Sequence, residues 1–80
     1  MVAVAKDKRS AFAVRLRALR EAAGYTQAEV ASEIGVGYQT YLRWERGERE
    51  PEFTQLSALA SMFGVTLNDF AAPEEGEGRG

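Results

Sequence analysis

The chain of 80 residues contains no cysteine and no histidine. These absences exclude disulfide bonds, cysteine nucleophiles, histidine bases and the common zinc sites, because each requires one of these side chains. A chain of this length also has little room for a pocket of ligand size. We therefore expect that the protein is not an enzyme and that it uses no metal or cofactor.

Long apolar runs are also missing. Hydrophobic residues make up 45% of the chain but occur as spaced singles and pairs, which excludes a membrane-spanning segment. The opening MVAVAKDKRS is too short, and has the wrong charge order, for a secretory signal. We expect one domain, located in the cytoplasm, with no membrane partner.

Positive charge is scarce for a nucleic-acid-binding protein, since the net charge is −2 and the isoelectric point is about 5.1. The charge is unevenly distributed, however. Residues 1–50 hold nine Lys and Arg against seven Asp and Glu, a net charge of +2, whereas residues 51–80 hold one against five, a net charge of −4. The first part of the chain therefore keeps a mild basic character.

Apolar spacing and capping signals predict five short helices around one core, with no strand. The fold class is therefore all-α. The predicted helices run from about Ser10, the expected N-cap, to Ala23, from the Thr26 cap to Ile34, from Tyr38 to Arg46, from about Phe53 to Phe63, and through Leu67 and Phe70 after a Thr66 cap. The fourth helix is expected to present one apolar stripe toward the core: Phe53, Leu56, Leu59, Ala60 and Phe63.

The two ends of the chain differ in composition from the predicted bundle. Residues 1–9 hold three basic side chains and are predicted to form a flexible arm. The arm either reaches along a DNA backbone or into the minor groove, or it is a solvated terminus. The closing PEEGEGRG has nothing apolar to bury, so residues 72–80 are predicted to be a disordered acidic tail. The domain is expected over residues 10–71.

The segment TQAEVASEIGVGYQTYLRWERG, residues 26–47, contains the clearest helix signals of the chain. Thr26 and Glu29 are spaced as a capping box, and Gly35 ends the helix that they begin. A second helix follows after so few residues that the two helices must cross at a steep angle. The second helix then projects from the domain, where a DNA groove can receive it.

The helix over residues 38–46 divides into two faces at 100° per residue. One face carries side chains that we expect to pack inward, with Tyr38 at its edge: Tyr41, Trp44 and Glu45. The other face points outward and carries Gln39, Leu42, Arg43 and Arg46. On such a face glutamine can make two hydrogen bonds to adenine, and arginine two to guanine.

Taken together, TQAEVASEIGV, the nine-residue helix and WERGEREP resemble the phage-repressor/Cro-like helix-turn-helix family, also called the XRE family. The resemblance covers roughly Ser10 to Phe70. It implies a compact five-helix lambda-repressor-like domain, double-stranded DNA as the partner, and a role as a transcriptional regulator, with repression expected. It also implies that helix 38–46 reads bases in the major groove while the preceding helix crosses the phosphate backbone.

The resemblance also assigns roles by position. Base contacts are implied for Tyr38, Gln39 and Arg43 of the reading helix. Leu42 departs from the family pattern, and we expect it to contact a base through a thymine methyl. Phosphate contacts are implied for Gln27, at a helix N-terminus that favours anions, and for Arg46 and Arg49. Arg20 and Glu45 match a pair that the family often buries between its first and third helices, so we expect a structural role for them.

Two features keep a second class of function open. Three glutamates follow the reading helix in GEREPE, and carboxylates beside a DNA backbone oppose binding. Leu42 is an apolar residue on the outward face and can belong to a protein-binding surface. The alternative is a protein-interaction module of the same fold, an antitoxin or co-regulator whose partner is a protein such as a toxin.

The size of the module favours a homodimer. One module has a small footprint, so tight operator binding usually needs two copies on half-sites about 34–36 Å apart. We expect the two copies to meet through the last helix, around Leu67 and Phe70. Phe70 is the candidate contact because no further helix follows to cover it.

Overall fold

The computed structural model describes residues 11–71 and confirms the all-α class, with no strand in this range. The predicted arm, the Ser10 cap and the acidic tail lie outside the described residues. The elements are α1 (Ala11–Ala23), α2 (Gln27–Ile34), α3 (Tyr38–Arg46), α4 (Phe53–Phe63) and a 3-10 helix (Leu67–Phe70). In the described range the helix bounds agree with the predicted ones to within a residue.

The capping box predicted at the start of α2 is confirmed. The Thr26 hydroxyl accepts a hydrogen bond from the Glu29 amide at 3.0 Å, and Glu29 Oε1 accepts one from the Thr26 amide at 2.8 Å. At the other end Gly35 adopts φ 84°, and its amide donates to the carbonyl of Ala31 at 2.9 Å. Local sequence signals therefore set both ends of this eight-residue helix.

The last of the five predicted helices is a single 3-10 turn, so residues 11–71 contain four α-helices and this turn. Only four residues lie between the Thr66 cap and Ala71, whose backbone is extended. So short a segment is closed by bonds from each amide to the third carbonyl before it, as from Asp69 to Thr66 at 3.0 Å. The predicted cap is present, because the Thr66 amide donates to Asp69 Oδ2 at 2.8 Å.

One hydrophobic core joins all five elements. Its aromatic centre is Tyr41 and Trp44 of α3, whose rings meet edge to face with centroids 5.7 Å apart. Both residues are buried, as the face analysis predicts. The other buried members are Leu16, Val30, Ala31, Leu59, Ala60, Phe63 and Phe70. Because α3 supplies the centre of this core, its opposite face is held outward.

Two aromatic residues differ from their predicted environments. Phe70, expected as an uncovered dimer contact, is buried, because the rings of Phe12 and Phe63 pack against it at centroid distances of 5.6 and 6.5 Å. Phe53, expected on the inward stripe of α4, is 69% exposed. It is the first residue of α4. Leu67 of the 3-10 helix remains exposed.

The helices of the described range are short. The longest, α1, has 13 residues. None of the helices over residues 11–71 has the length and apolar character needed to cross a lipid bilayer.

Candidate nucleic-acid interface

Helix α3 is anchored along one side and open along the other. Tyr41, Trp44 and Glu45 are buried, with exposed fractions of 4% or less. On the opposite side Gln39, Arg43 and Arg46 are exposed, Tyr38 is 48% exposed, and Leu42 is half-buried. The structure therefore brings the predicted base-contacting side chains together on one outward face. Their contact with bases stays a prediction.

The turn between α2 and α3 fixes how that face is presented. Gly35 takes a left-handed backbone, and Val36 then turns back so that its amide donates to the carbonyl of Ala31 at 3.0 Å. The side chain of Val36 packs against the core. Gly37 caps α3 through its carbonyl, which accepts from the amide of Tyr41 at 3.1 Å. Three residues thus join two helices that share the core.

A buried carboxylate, Glu45, ties α3 to α1 and α2. Arg20 of α1 donates from Nε to Glu45 Oε2 at 2.7 Å and from Nη2 to Oε1 at 3.4 Å. Gln27 of α2 donates from Nε2 to Oε1 at 3.0 Å, and the hydroxyl of Tyr41 donates to Oε2. We call these four side chains the Glu45 cluster. The expected Arg20–Glu45 pair is thus one part of a larger arrangement.

The charges in the Glu45 cluster support one another. Burial by itself raises the pKa of the Glu45 carboxyl, but hydrogen bonds from Arg20, Tyr41 and Gln27 outweigh burial and hold that pKa below its ordinary value. The bond to Glu45 raises the pKa of Arg20. Burial, followed by the bond to the Glu45 carboxylate, raises the pKa of the Tyr41 hydroxyl far above its usual range. Glu45 is therefore ionised, and Arg20 and Tyr41 keep their protons, at neutral pH.

Gln27 stands at the first position of α2 and is half-buried. The bond to Glu45 uses one of the two N–H groups of its side-chain amide. Free backbone amides at the start of a helix and the helix dipole favour an anion at the same end. The second N–H of Gln27 and the start of α2 thus remain compatible with the predicted phosphate contact, which stays a prediction.

The two other predicted phosphate ligands lie at the end of α3. Arg46 Nη1 is 3.6 Å from Glu48 Oε1, and both side chains are about half exposed. Arg49 is exposed, and its backbone amide donates to the carbonyl of Arg43 at 3.4 Å. The predicted phosphate contact of Arg46 would therefore compete with its pairing to Glu48.

Sequence reasoning missed the hydroxyl of Tyr41 and the inward bond of Gln27. The first had a signal, because Tyr41 and Glu45 are four residues apart on one helix and so share a face. Gln27 is 18 residues from Glu45, and no local pattern indicates that the two meet. Among the described residues, no group of three or more acidic, histidine or cysteine side chains is arranged to hold a metal ion.

Comparisons with known proteins agree with this geometry. The profile of the family described as "Helix-turn-helix" matches residues 16–70. The cryptic phage CTXphi transcriptional repressor RstR of Vibrio cholerae is 36% identical over 64 residues, which cover 80% of this chain and 58% of RstR. The transcriptional regulator ImmR of Bacillus subtilis is 31% identical over 61 residues, which cover 76% of this chain and 48% of ImmR. The chain thus spans about half the length of these curated relatives.

A solved structure shares the fold. The restriction-modification controller protein C.AhdI from Aeromonas hydrophila superposes with a TM-score of 0.70 and 28% sequence identity, covering 76% of this chain and 92% of that protein. The family profile covers more than half of the chain, and the turn, the anchored α3 and the buried Arg20–Glu45 pair all lie within it. The chain therefore belongs to the XRE-type helix-turn-helix family.

Proposed function

We propose that this protein is a transcriptional regulator, acting as a repressor, that reads the major groove of double-stranded DNA with α3. The observation that carries the proposal is the division of α3 into a buried face and an exposed face that bears Gln39 and Arg43. A helix held in this way can enter a groove without loss of core packing. The names of the relatives, a phage repressor and a restriction-modification controller, support the same function.

The proposed contacts divide into those that read sequence and those that position the protein. Gln39 and Arg43 pair with adenine and guanine edges, while Tyr38 and the half-buried Leu42 contact sugar or thymine methyl groups. The backbone ligands lie at the two ends of the helix pair: Gln27, Arg46 and Arg49. The functional module is residues 10–71, and we place its action in the cytoplasm.

We also propose that two copies bind together. The exposed Leu67 of the 3-10 helix and the exposed Val14 of α1 lie on elements that pack against each other, and they offer an apolar contact for a second copy. Burial of Phe70 removes it from this interface but supports the turn that presents Leu67. A symmetric pair would place the two copies of α3 in successive major grooves.

Selection of bound duplexes from a random pool, at two salt concentrations, tests the proposal. We expect one enriched motif with two related half-sites about 34–36 Å apart. Affinity should fall with salt with a slope equivalent to about three to six phosphates per protomer. The double variant with Gln39→Ala and Arg43→Ala is the control and should enrich no motif. If the unaltered protein also enriches no motif, the proposed base reading is wrong, and the result favours the alternative of a protein partner.

A further inference from the structure

The two oxygens of the Glu45 carboxylate accept hydrogen bonds from different sets of donors. Oε2 receives Arg20 Nε at 2.7 Å and the hydroxyl of Tyr41, while Oε1 receives Gln27 Nε2 at 3.0 Å and the longer bond from Arg20 Nη2. Arg20 and Tyr41 approach from α1 and from the preceding turn of α3, so together they fix the plane of the carboxylate. Oε1 is thereby held toward the first residue of α2.

An ionised carboxylate accepts hydrogen bonds but donates none. The amide of Gln27 must therefore turn its NH₂ group, and not its oxygen, toward Glu45. One N–H is used by Glu45, and the other remains as a donor at the N-terminus of α2. The orientation of this donor is thus set by chemistry inside the domain, before any DNA arrives.

Packing alone does not account for a tyrosine at position 41. The ring fills the core against Trp44, and phenylalanine would supply the same ring. A hydroxyl buried in an apolar core is costly unless it finds a partner. Here the partner is Glu45, so the hydroxyl adds a bond to the cluster that orients Gln27.

We infer that Tyr41 is a positioning residue for DNA binding: through Glu45 its hydroxyl holds the amide of Gln27 so that the remaining N–H donates to a backbone phosphate. This inference rests on the proposed DNA binding. The Glu45 cluster thereby links the position of α3 in the major groove to the phosphate contact that Gln27 makes at the start of α2. The proposed acceptor of the Gln27 N–H is a phosphate oxygen and not a base edge. The effect of Tyr41 on DNA affinity should therefore be independent of DNA sequence.

The test is a double-mutant cycle on the duplex obtained by selection, using Tyr41→Phe, Gln27→Ala and the combination. Binding is measured at a temperature where unfolding curves show every variant to be folded. We expect Tyr41→Phe to weaken binding about two- to tenfold, as for one hydrogen bond, on the selected duplex and on random duplexes alike. In the Gln27→Ala background the same substitution should have no further effect.

A second measurement examines the protein without DNA. The side-chain amide protons of Gln27, observed by NMR, should shift and exchange faster with water in Tyr41→Phe. Tyr25→Phe is the matched control, because it removes one phenolic hydroxyl from a ring that packs on Phe63. The backbone carbonyl of Tyr25, which accepts from Arg20 Nη1 at 2.7 Å, is kept in this variant. Tyr25→Phe should leave both the Gln27 resonances and the affinity unchanged.

The outcomes separate the two proposals. If the unaltered protein selects a motif but the losses from Tyr41→Phe and Gln27→Ala add, then Tyr41 does not act through Gln27 and this inference fails while DNA binding stands. Unchanged Gln27 resonances in Tyr41→Phe overturn it in the same way. If the unaltered protein binds no duplex, the proposed function fails, and the positioning role fails with it.

Discussion

Arg43 and Arg46 of α3 carry the same charge in different surroundings. Arg43 lies on the outward face beside Gln39, one turn along the helix, whereas Arg46 is 3.6 Å from the carboxylate of Glu48. In the proposed complex Arg43 meets base edges, and Arg46 exchanges the Glu48 carboxylate for a phosphate. We therefore expect substitutions of Arg43 and of Arg46 to change DNA binding in different ways.

Substitution of the reading residues should change base preference. Gln39→Ala and Arg43→Ala each should weaken binding to the preferred duplex by about 1–3 kcal/mol and relax the choice of base at one position, because each removes a bidentate pair. Binding measured against single-base variants of the selected duplex checks this. Arg17→Ala on α1 removes the same charge from an exposed Arg17–Glu21 pair and should relax no position. Equal losses on all duplexes would contradict a reading role.

Removal of Glu48 should strengthen binding. Glu48→Gln frees Arg46 and takes a negative charge from the end of α3, so we expect affinity to rise about two- to fivefold at low salt, within the range of an exposed ion pair. The gain should shrink as salt is added, because exposed charges are screened. The control is Glu33→Gln, which makes the same charge change in the groove between α2 and α4. A similar gain from both variants would show an effect of net charge alone.

At the scale of elements, the α2–α3 turn depends on one left-handed residue. Gly35 has φ 84°, and a Cβ added there would meet no atom within 4 Å, so any cost of substitution is conformational. Gly37, in the same turn, has φ −68° and ψ 150°, which every residue type adopts readily. The backbone conformation at position 35 therefore favours glycine, whereas the conformation at position 37 does not require it.

The same substitution at the two positions should have different effects. Gly35→Ser should lower the free energy of unfolding by about 1–2 kcal/mol, because a side chain disfavours the left-handed backbone. Gly37→Ser should be neutral or stabilising by up to about 1 kcal/mol, because serine is a good N-cap for α3. Urea unfolding followed by circular dichroism measures both. Equal destabilisation at the two positions would mean that the turn tolerates no side chain for another reason.

Elements were predictable where their signals are local. The Thr26–Glu29 capping box and the left-handed Gly35 act within a single turn of chain, and both were visible in the sequence. Phe53 was misplaced because apolar spacing identifies a stripe but not how far a neighbouring helix covers it. The last helix became a 3-10 turn because four residues favour the tighter hydrogen-bond pattern.

At the scale of the whole molecule, the outward face of α3 could be predicted from the sequence, but the hydrogen bonds of the Glu45 cluster could not. The outward position of Gln39 and Arg43 follows from helical periodicity once Tyr41 and Trp44 are assigned to the core. The Glu45 cluster joins three helices, and its Gln27 bond depends on tertiary packing. Phe70 was misjudged for the same reason, since Phe12 covers it from the opposite end of the chain.

The proposed dimer can be tested through Leu67. Sedimentation at high micromolar concentration should show a homodimer, with or without duplex, and Leu67→Asp should shift it toward monomer because a charge is costly in an apolar contact. Asn68→Asp, in the same 3-10 turn, adds the same charge at an exposed polar position and should leave the dimer intact. A protein that is monomeric in the presence and absence of DNA would exclude the dimer. An unaffected Leu67→Asp would exclude this interface.

The anchoring of α3 by its inner side has a consequence for how such a domain can change over time. Because Tyr41, Trp44 and Glu45 are the buried residues of α3, the exposed side chains of Gln39, Arg43 and Arg46 on its other face contribute little to core packing. With the proposed base contacts, new combinations of residues at these positions would change which DNA sequences the protein binds, while the core that holds α3 stays the same.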